Sequence, residues 1–126
     1  MIIKEIMNKA IVVDHDISLK EAAKIMSDKN IGSLVVIKGE NIYGIVTEHD
    51  IMTNANNLNK KISSIMSKNV LTINENEDID EAALVLCKNK IKRLPVVDKD
   101  EKLVGIITST DLIAHSDELN EEFLFN

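Results

Sequence analysis

An apolar run, a turn and a polar helix start follow one another in "GIVTEHDI" (residues 44–51), and the same order returns in "GIITSTDL" (residues 105–112). Both stretches keep Gly, Thr and Asp at matching positions, whereas the two residues between Thr and Asp differ. A duplicated unit changes the meaning of every motif inside it, so the extent of the repetition has to be established first.

The repetition covers most of the chain. "SLKEAAKIM" (residues 18–26) returns as "DIDEAALVL" (residues 78–86). An earlier apolar triplet also returns: Ile3, Ile6 and Met7 match Ile62, Ile65 and Met66. We therefore predict one repeat over residues 1–56, a second over residues 57–115 and a separate acidic tail over residues 116–126. The tail carries an apolar cluster that is expected to dock on its own subunit or on a partner: Phe123, Leu124 and Phe125.

Each repeat has a helix with a start signal. Ser18 with Glu21, and Asp78 with Glu81, have the spacing of a capping box. Apolar residues follow at i, i+3, i+4 and i+7, which is typical of one buried helix face. They are Leu19, Ala22, Ala23 and Met26 in the first repeat and Ile79, Ala82, Ala83 and Leu86 in the second.

Two β-branched runs follow each of these helices and predict strands, "SLVVI" and "IYGIVT" in the first repeat, "RLPVV" and "KLVGIIT" in the second. The polar segments between them have hairpin composition, so each pair is expected to be antiparallel. Pro95 cannot donate to a ladder and is expected at the beginning or the edge of its strand. With "AIVV" and "VLTI" ahead of the helices, each repeat reads β-α-β-β-α.

Composition and charge exclude several classes of protein. The 126 residues are 44% apolar but only 2% aromatic, which predicts one domain-sized core of aliphatic layers. A net charge of −6 without a block of Lys or Arg disfavours nucleic acid as a partner. No apolar run approaches the roughly 18 residues of a membrane helix. The single Cys87 fits a reducing compartment, so we expect a cytoplasmic protein without membrane attachment.

The repeated strand-to-helix junction, at residues 44–51 and 105–112, contains groups that can bind a ligand. Gly44 and Gly105 lack a β-carbon, so a ligand or another backbone can approach closely. A helix starting after Thr47 or Thr108 leaves its first N–H groups unpaired, which suits an anion such as a phosphate. An aspartate three residues on can accept hydrogen bonds from the 2′ and 3′ hydroxyls of a ribose. The alternative interpretation is that Thr-x-x-Asp is only a capping pair and that the glycines serve packing.

The duplicated Gly-hydrophobic-hydrophobic-Thr-x-x-Asp motif and the "RLPVV" strand resemble a tandem pair of cystathionine-beta-synthase (CBS) domains, the Bateman module. The resemblance spans residues 1–115. It implies an α/β (α+β) fold in which two β-α-β-β-α repeats are related by a pseudo-twofold axis and pack through their sheets. It also implies ligand clefts, each joining the Thr-x-x-Asp junction of one repeat to the first-helix start and second strand of the other.

Carried over residue by residue, the resemblance implies two clefts. Cleft 1 comprises Thr47, Glu48, His49, Asp50, Glu77, Ala82, Lys92 and Arg93. Cleft 2 comprises Thr108, Ser109, Thr110, Asp111, Ile17, Ala22, Gly32 and Ser33. The small Ala22 and Ala82 are expected to leave space for an adenine.

The two clefts differ in charge. Lys92 and Arg93 bring two cations to cleft 1, where the planar guanidinium suits a phosphate, so AMP, ADP or ATP is expected there. Cleft 2 has Gly32 and Ser33 instead and is expected to hold S-adenosylmethionine or methylthioadenosine, or nothing. The alternative for Lys92 and Arg93 is a solvated strand edge.

Neither a metal site nor an active site is expected. His15, His49, His115 and Cys87 are scattered without metal-ligand spacing. His49 falls in cleft 1, where it can contact a phosphate, although an exposed helical histidine is the plainer interpretation. No general base is placed to activate the hydroxyls of residues 108–110. We therefore expect a protein that is not an enzyme and that has no catalytic cofactor.

The resulting expectation is a stand-alone regulatory module for energy sensing, which binds an adenosyl ligand and signals to an unidentified partner protein. The family commonly forms flat homodimers through its helices, and four apolar residues near the second helices are expected to supply that surface: Ile51, Met52, Leu112 and Ile113. Two alternatives stay open, a structural interaction module that binds no ligand and a nucleotide hydrolase.

Overall fold

The computed structural model describes residues 1–115 and 117. They form two compact units. The continuous unit is Ile11–Val70, and the two-segment unit combines Met1–Ala10 with the described residues from Leu71 onward. The compact units therefore differ from the sequence repeats, because the first ten residues belong to the unit that carries the strands of the second repeat. The apolar cluster of the tail lies outside the described residues.

Both units have the predicted order of elements. The continuous unit contains β1 (Val12–Asp14), α1 (Leu19–Lys29), β2 (Ser33–Lys38), β3 (Asn41–Thr47) and α2 (Glu48–Thr53). The two-segment unit contains β4 (Ile73–Asn74), α3 (Ile79–Asn89), β5 (Arg93–Val97), β6 (Leu103–Thr108) and α4 (Ser109–Ala114). Single 3₁₀ turns lie at Ile3–Glu5, Ala55–Asn57 and Ile62–Ser64. The mixed α and β class is thereby confirmed. No helix of the described residues is long and apolar enough to cross a lipid bilayer.

Each unit has one three-stranded sheet, ordered β1-β2-β3 or β4-β5-β6. The first pair of each sheet is parallel and the second pair is antiparallel, so both predicted hairpins are confirmed. The antiparallel register shifts at equivalent places, between Val36 and Ile37 and between Val96 and Val97. The two copies therefore keep the same local irregularity as well as the same topology.

A short segment pairs with the outer edge of the last strand of each sheet through one antiparallel bridge. Ser67 exchanges two backbone hydrogen bonds with Ile45 of β3, at 3.1 and 3.2 Å. Asn8 exchanges two with Ile106 of β6, at 2.9 and 2.8 Å. An exposed edge strand presents unpaired N–H and C=O groups, and these bridges satisfy part of that edge.

The core of each unit lies between its helices and its sheet, and its buried described residues are aliphatic side chains and methionines, as the composition predicts. In the continuous unit the buried residues are Leu19, Ala22, Met26, Leu34, Val36, Val46, Ile62 and Met66. In the two-segment unit they are Ile3, Ile73, Ile79, Ala82, Ala83, Leu86, Leu94, Val96, Ile107 and Leu112. The predicted apolar faces of α1 and α3 thus point inward, except that Ala23 is only half-buried.

The two predicted helix starts turn out differently. Ser18 and Glu21 form the full capping box, with the Glu21 amide donating to Ser18 Oγ at 3.1 Å. Asp78 also caps its helix, but it accepts from the Asp80 amide at 2.9 Å and makes no box with Glu81. A box there would bring two carboxylates together, so the predicted partner is wrong although the predicted cap is right.

Pro95 does not lie at a strand end. It is the third residue of β5, the central strand, and stands opposite Ile106. In the continuous unit the matching Val35 donates its N–H to the Ile11 carbonyl at 3.0 Å. Pro95 has no N–H for that bond, and β4 pairs with β5 only from Ile73 and Val96 onward. A central proline is tolerated here because the neighbouring strand starts after the missing bond.

Candidate ligand-binding junctions

Thr47 and Asp50 form a capping box where β3 runs into α2. The Thr47 amide donates to Asp50 Oδ2 at 2.8 Å and the Thr47 hydroxyl donates to the same oxygen at 3.2 Å. The Asp50 amide donates back to Thr47 Oγ1 at 3.4 Å. Both side chains are half-buried, so this carboxylate is held in one orientation at the surface.

The two-segment unit repeats this geometry. Asp111 Oδ2 accepts from the amide and the hydroxyl of Thr108, both at 2.9 Å, and the Asp111 amide donates to Thr108 Oγ1 at 3.2 Å. The capping interpretation of Thr-x-x-Asp is therefore confirmed. It does not exclude ribose binding, because each box uses only one of the two carboxylate oxygens.

The helix starts offer less to an anion than the sequence suggested. The Glu48 amide donates to the Gly32 carbonyl at 3.1 Å, and the Ser109 amide donates to the Lys92 carbonyl at 2.8 Å. With the Asp50 and Asp111 amides in their capping boxes, the expected row of unpaired N–H groups is not present. Both helices have only six residues, and α2 already carries two carboxylates in its first turn. A phosphate therefore needs nearby cations, because most of the first N–H groups of each helix already donate hydrogen bonds within the chain.

The glycines of the motif are approached by the chain itself. Gly44 lies against Met66 and the Ser67 backbone, and Gly105 lies against Met7 and the Asn8 backbone. Of the two neighbours that the sequence left open, a ligand or another backbone, the structure places the backbone there.

The strand-start residues of the predicted clefts lie beside the junction of their own unit. Ser33 stands opposite Thr47 in the β2–β3 pair, and Arg93 stands opposite Thr108 in the β5–β6 pair. Lys92 is exposed and Arg93 is half-buried, and neither is within ion-pair distance of a carboxylate among the described residues. Both cations are available to an anionic ligand. The predicted combination of one junction with the strand of the other repeat stays a prediction.

The helix-start residues of the predicted clefts serve as backbone anchors. Glu77 accepts from the Ile3 amide and Ile17 accepts from the Ile62 amide, both at 2.9 Å. Ala22 and Ala82 are fully buried in the two cores, where their small side chains let α1 and α3 pack closely on the sheets. A contact of either alanine with an adenine stays a prediction.

One polar residue at these junctions escaped the sequence reasoning. Asn8 Nδ2 donates to Asp111 Oδ1 at 2.8 Å, and it does so across 103 residues of chain. The available signal was its place directly after Met7, because Met7 matches Met66 and Asn8 therefore matches Ser67. The difference between Asn and Ser at matched positions makes the two junctions unequal.

The continuous unit also has a cavity of about 390 Å³ between α1 and α2. Its lining includes Met26, Ile51 and Met52, and Glu48 is the one predicted cleft residue that reaches it.

The residues predicted for a dimer surface differ in exposure. Met52 is 73% exposed and Ile113 is 68% exposed, as a surface for another copy requires. Leu112 is only 4% exposed because it belongs to the core of the two-segment unit, so its predicted place in a dimer surface is wrong.

The histidines and acidic residues form no metal centre in the part of the chain that the structure describes. No three His, Cys, Asp or Glu side chains there are grouped closely enough to hold a metal ion. His49 is exposed on the first turn of α2, which fits the plainer of its two interpretations.

Known proteins are similar to this chain over most of its length, and two of them serve as examples. The protein MJ1232 of Methanocaldococcus jannaschii is 36% identical over 101 residues, which are 80% of this chain and 34% of that protein. Inosine-5'-monophosphate dehydrogenase of Thermoplasma acidophilum is 36% identical over 108 residues, which are 86% of this chain and 22% of that protein. The chain therefore spans about a third or less of the length of these curated relatives.

A solved structure shares the fold. The CBS domain pair of protein MJ0100, crystallised with 5'-methylthioadenosine and S-adenosyl-L-methionine, has a TM-score of 0.84 and 35% sequence identity to this chain. The match covers 93% of this chain and 96% of that one. The sequence model of the CBS domain matches twice, over residues 3–57 and 62–118. Because the CBS domain model matches both repeats, this chain belongs to the CBS domain family.

Proposed function

We propose that this chain is a regulatory module that binds an adenosyl compound, either an adenine nucleotide (AMP, ADP or ATP) or S-adenosylmethionine or methylthioadenosine. One observation carries the proposal. The Asp50 carboxylate is held by Thr47 through Oδ2, while Oδ1 accepts no hydrogen bond from any described residue. The 35% identical CBS pair that was crystallised with methylthioadenosine and S-adenosylmethionine supports the choice of ligand class.

A carboxylate held in this way suits a ribose. Its free oxygen has two lone pairs and can accept from both vicinal hydroxyls without turning. Because the capping box has already ordered the side chain, binding costs little additional rotamer entropy. A hydrogen bond to a charged group contributes about 1.5–3 kcal/mol, so loss of the carboxylate is expected to weaken binding about 10- to 100-fold.

The phosphate of a nucleotide needs positive charge. Lys92 and Arg93 have no acidic partner among the described residues, and we propose them as the phosphate-binding cations. The remaining cleft residues, including Glu77 and Ile17, enter the proposal as predictions from the family resemblance.

Regulation follows from differential affinity. A ligand that binds one conformation of the chain more tightly than another shifts the population toward it, and a partner protein that distinguishes the conformations responds. We propose a homodimer as the responding assembly, with Met52 and Ile113 among its contacts, and a separate effector protein as the output.

Calorimetric titration and thermal unfolding with AMP, ATP, S-adenosylmethionine and methylthioadenosine test the proposal. At ~100 times the dissociation constant, a bound ligand should stabilise the fold by about 2.7 kcal/mol. At the same ligand concentration Asp50→Ala should keep only about 0.4–1.4 kcal/mol of this stabilisation, because its dissociation constant is expected to be 10- to 100-fold higher. Glu21→Ala is the matched control, because Glu21 holds the same N3 position in the capping box of α1. The proposal is wrong if none of the four compounds binds, or if Asp50→Ala binds as tightly as Glu21→Ala.

A further inference from the structure

Asp50 and Asp111, the two carboxylates proposed to bind ribose, have different hydrogen-bond partners. Asp111 uses Oδ2 for Thr108 and accepts from Asn8 Nδ2 at Oδ1, at 2.8 Å. Asp50 uses Oδ2 for Thr47, and its Oδ1 accepts from no described residue. The oxygen that is open in the continuous unit is therefore occupied by a side chain of the same chain in the two-segment unit.

The position of Asn8 is set by its backbone. Its N–H and C=O are both bonded to Ile106, and its carbonyl lies where a β-carbon on Gly105 would come within 2.8 Å. The absence of that β-carbon lets the segment lie close to β6. The amide side chain then needs only its own length to reach Asp111, three residues beyond the end of β6 at Thr108.

Ser67 provides the internal comparison. It makes the same two backbone bonds, with Ile45, and its carbonyl lies equally close to Gly44. A serine hydroxyl is shorter than an asparagine amide, and Ser67 makes no side-chain hydrogen bond to any described residue. The difference at the carboxylates thus comes from one residue type at one matched position.

We propose that Asn8 is an internal competitor at Asp111, which lowers the affinity of the two-segment unit's junction for a ribose-bearing ligand. The inference rests on the proposed function, since it concerns the same ligand class. A ribose hydroxyl that bonds Asp111 Oδ1 must displace the Asn8 amide or share the oxygen with it. The Asn8–Asp111 bond is exposed and its net contribution is modest, so we expect a three- to tenfold effect, about that of one ordinary hydrogen bond.

Asn8→Ser tests the competitor because it copies the residue of the other unit and keeps the backbone bonds to Ile106. The probe is 5'-methylthioadenosine, which carries the ribose without a phosphate and so avoids Lys92 and Arg93. Amide chemical shifts of Thr47 and Thr108 report on the two junctions separately, since each amide donates to its own aspartate. In Asn8→Ser the dissociation constant reported by Thr108 should fall about three- to tenfold, while that reported by Thr47 stays unchanged.

Two further variants complete the design. Ser67→Asn places an amide beside Asp50 and should raise the dissociation constant reported by Thr47. Ser67→Ala is the matched control and should change neither junction. The inference is overturned if both proteins bind the probe and the dissociation constant reported by Thr108 is the same in the wild type and in Asn8→Ser. If no junction responds to methylthioadenosine, AMP or S-adenosylmethionine in any variant, the proposed function fails and the inference fails with it.

Discussion

A β-carbon on Gly44 would lie 2.8 Å from the carbonyl oxygen of Ser67. That oxygen accepts the Ile45 amide at 3.1 Å, so it is fixed by the bridge that extends the sheet. Gly105 stands in the same relation to the carbonyl of Asn8, also at 2.8 Å. The repeated glycine is therefore required by the chain's own backbone, whatever else binds nearby.

Gly44→Ala should lower the free energy of unfolding by about 1–3 kcal/mol, because the new methyl group meets a carbonyl that cannot move freely. Urea denaturation measures the effect. Gly39→Asn is the comparison: Gly39 has a φ of +65° but open space around its α-carbon, and asparagine tolerates that conformation. An equally small loss for both variants would contradict the steric explanation.

Arg93→Ala should weaken ATP binding about tenfold more than it weakens adenosine binding, since a charge-assisted bond to phosphate is removed and the nucleoside contacts remain. Calorimetric titrations with both ligands provide the ratio. Lys99→Ala, in the turn between β5 and β6, removes the same charge from an exposed position and controls for the net charge. Equal losses for ATP and adenosine would show that Arg93 does not bind phosphate.

Lys90→Gly should stabilise the protein by about 0.5–1 kcal/mol, because Lys90 caps α3 in the left-handed conformation with a φ of 54°. The Asn30 cap of α1 has a φ of 52° and already carries a residue that tolerates this conformation. Asn30→Gly should therefore gain less. Midpoints of thermal unfolding compare the two, and an equal gain would argue against backbone strain at Lys90.

Asp98 should make the hairpin of β5 and β6 sensitive to acid. Its carboxylate accepts from the Lys102 amide at 3.0 Å and the Asp100 amide at 2.8 Å, and these bonds, that of Lys102 first, hold its pKa below the ordinary 3.8. A lowered pKa in the folded state means stability that is present above pH 3.8 and lost as the pH falls through the folded-state value.

The measurement is the urea midpoint at neutral and acidic pH. Asp98→Asn keeps the acceptor oxygen and removes the charge, so it should be less stable than the wild type at pH 7, and the difference should shrink in acid. Asp100→Asn, whose side chain accepts no bond from a described residue, controls for net charge. A difference that does not depend on pH would disprove the role of the Asp98 charge.

Local patterns were enough for the order of elements, the hairpins and the start of α1. Ser18 and Glu21 are three residues apart, and the apolar positions behind them follow a helical period, so short-range physics acts before any long-range contact forms. The capping role of the Thr-x-x-Asp motif could likewise be read from spacing alone. The position of Pro95 within β5 could not be predicted from local patterns, because a proline is tolerated there only owing to where the neighbouring strand β4 begins.

Contacts between residues far apart in the sequence could not be predicted from local patterns. The bond from Asn8 to Asp111 joins residues 103 positions apart, and the inclusion of the first ten residues in the two-segment unit has no local signal. The same holds for Leu112, whose burial reflects the packing of α4 on a core built from both segments of that unit. Spacing along the chain specifies which residues can share a turn or a face, whereas a contact between remote segments depends on how whole elements pack, and that energy is spread over many residues.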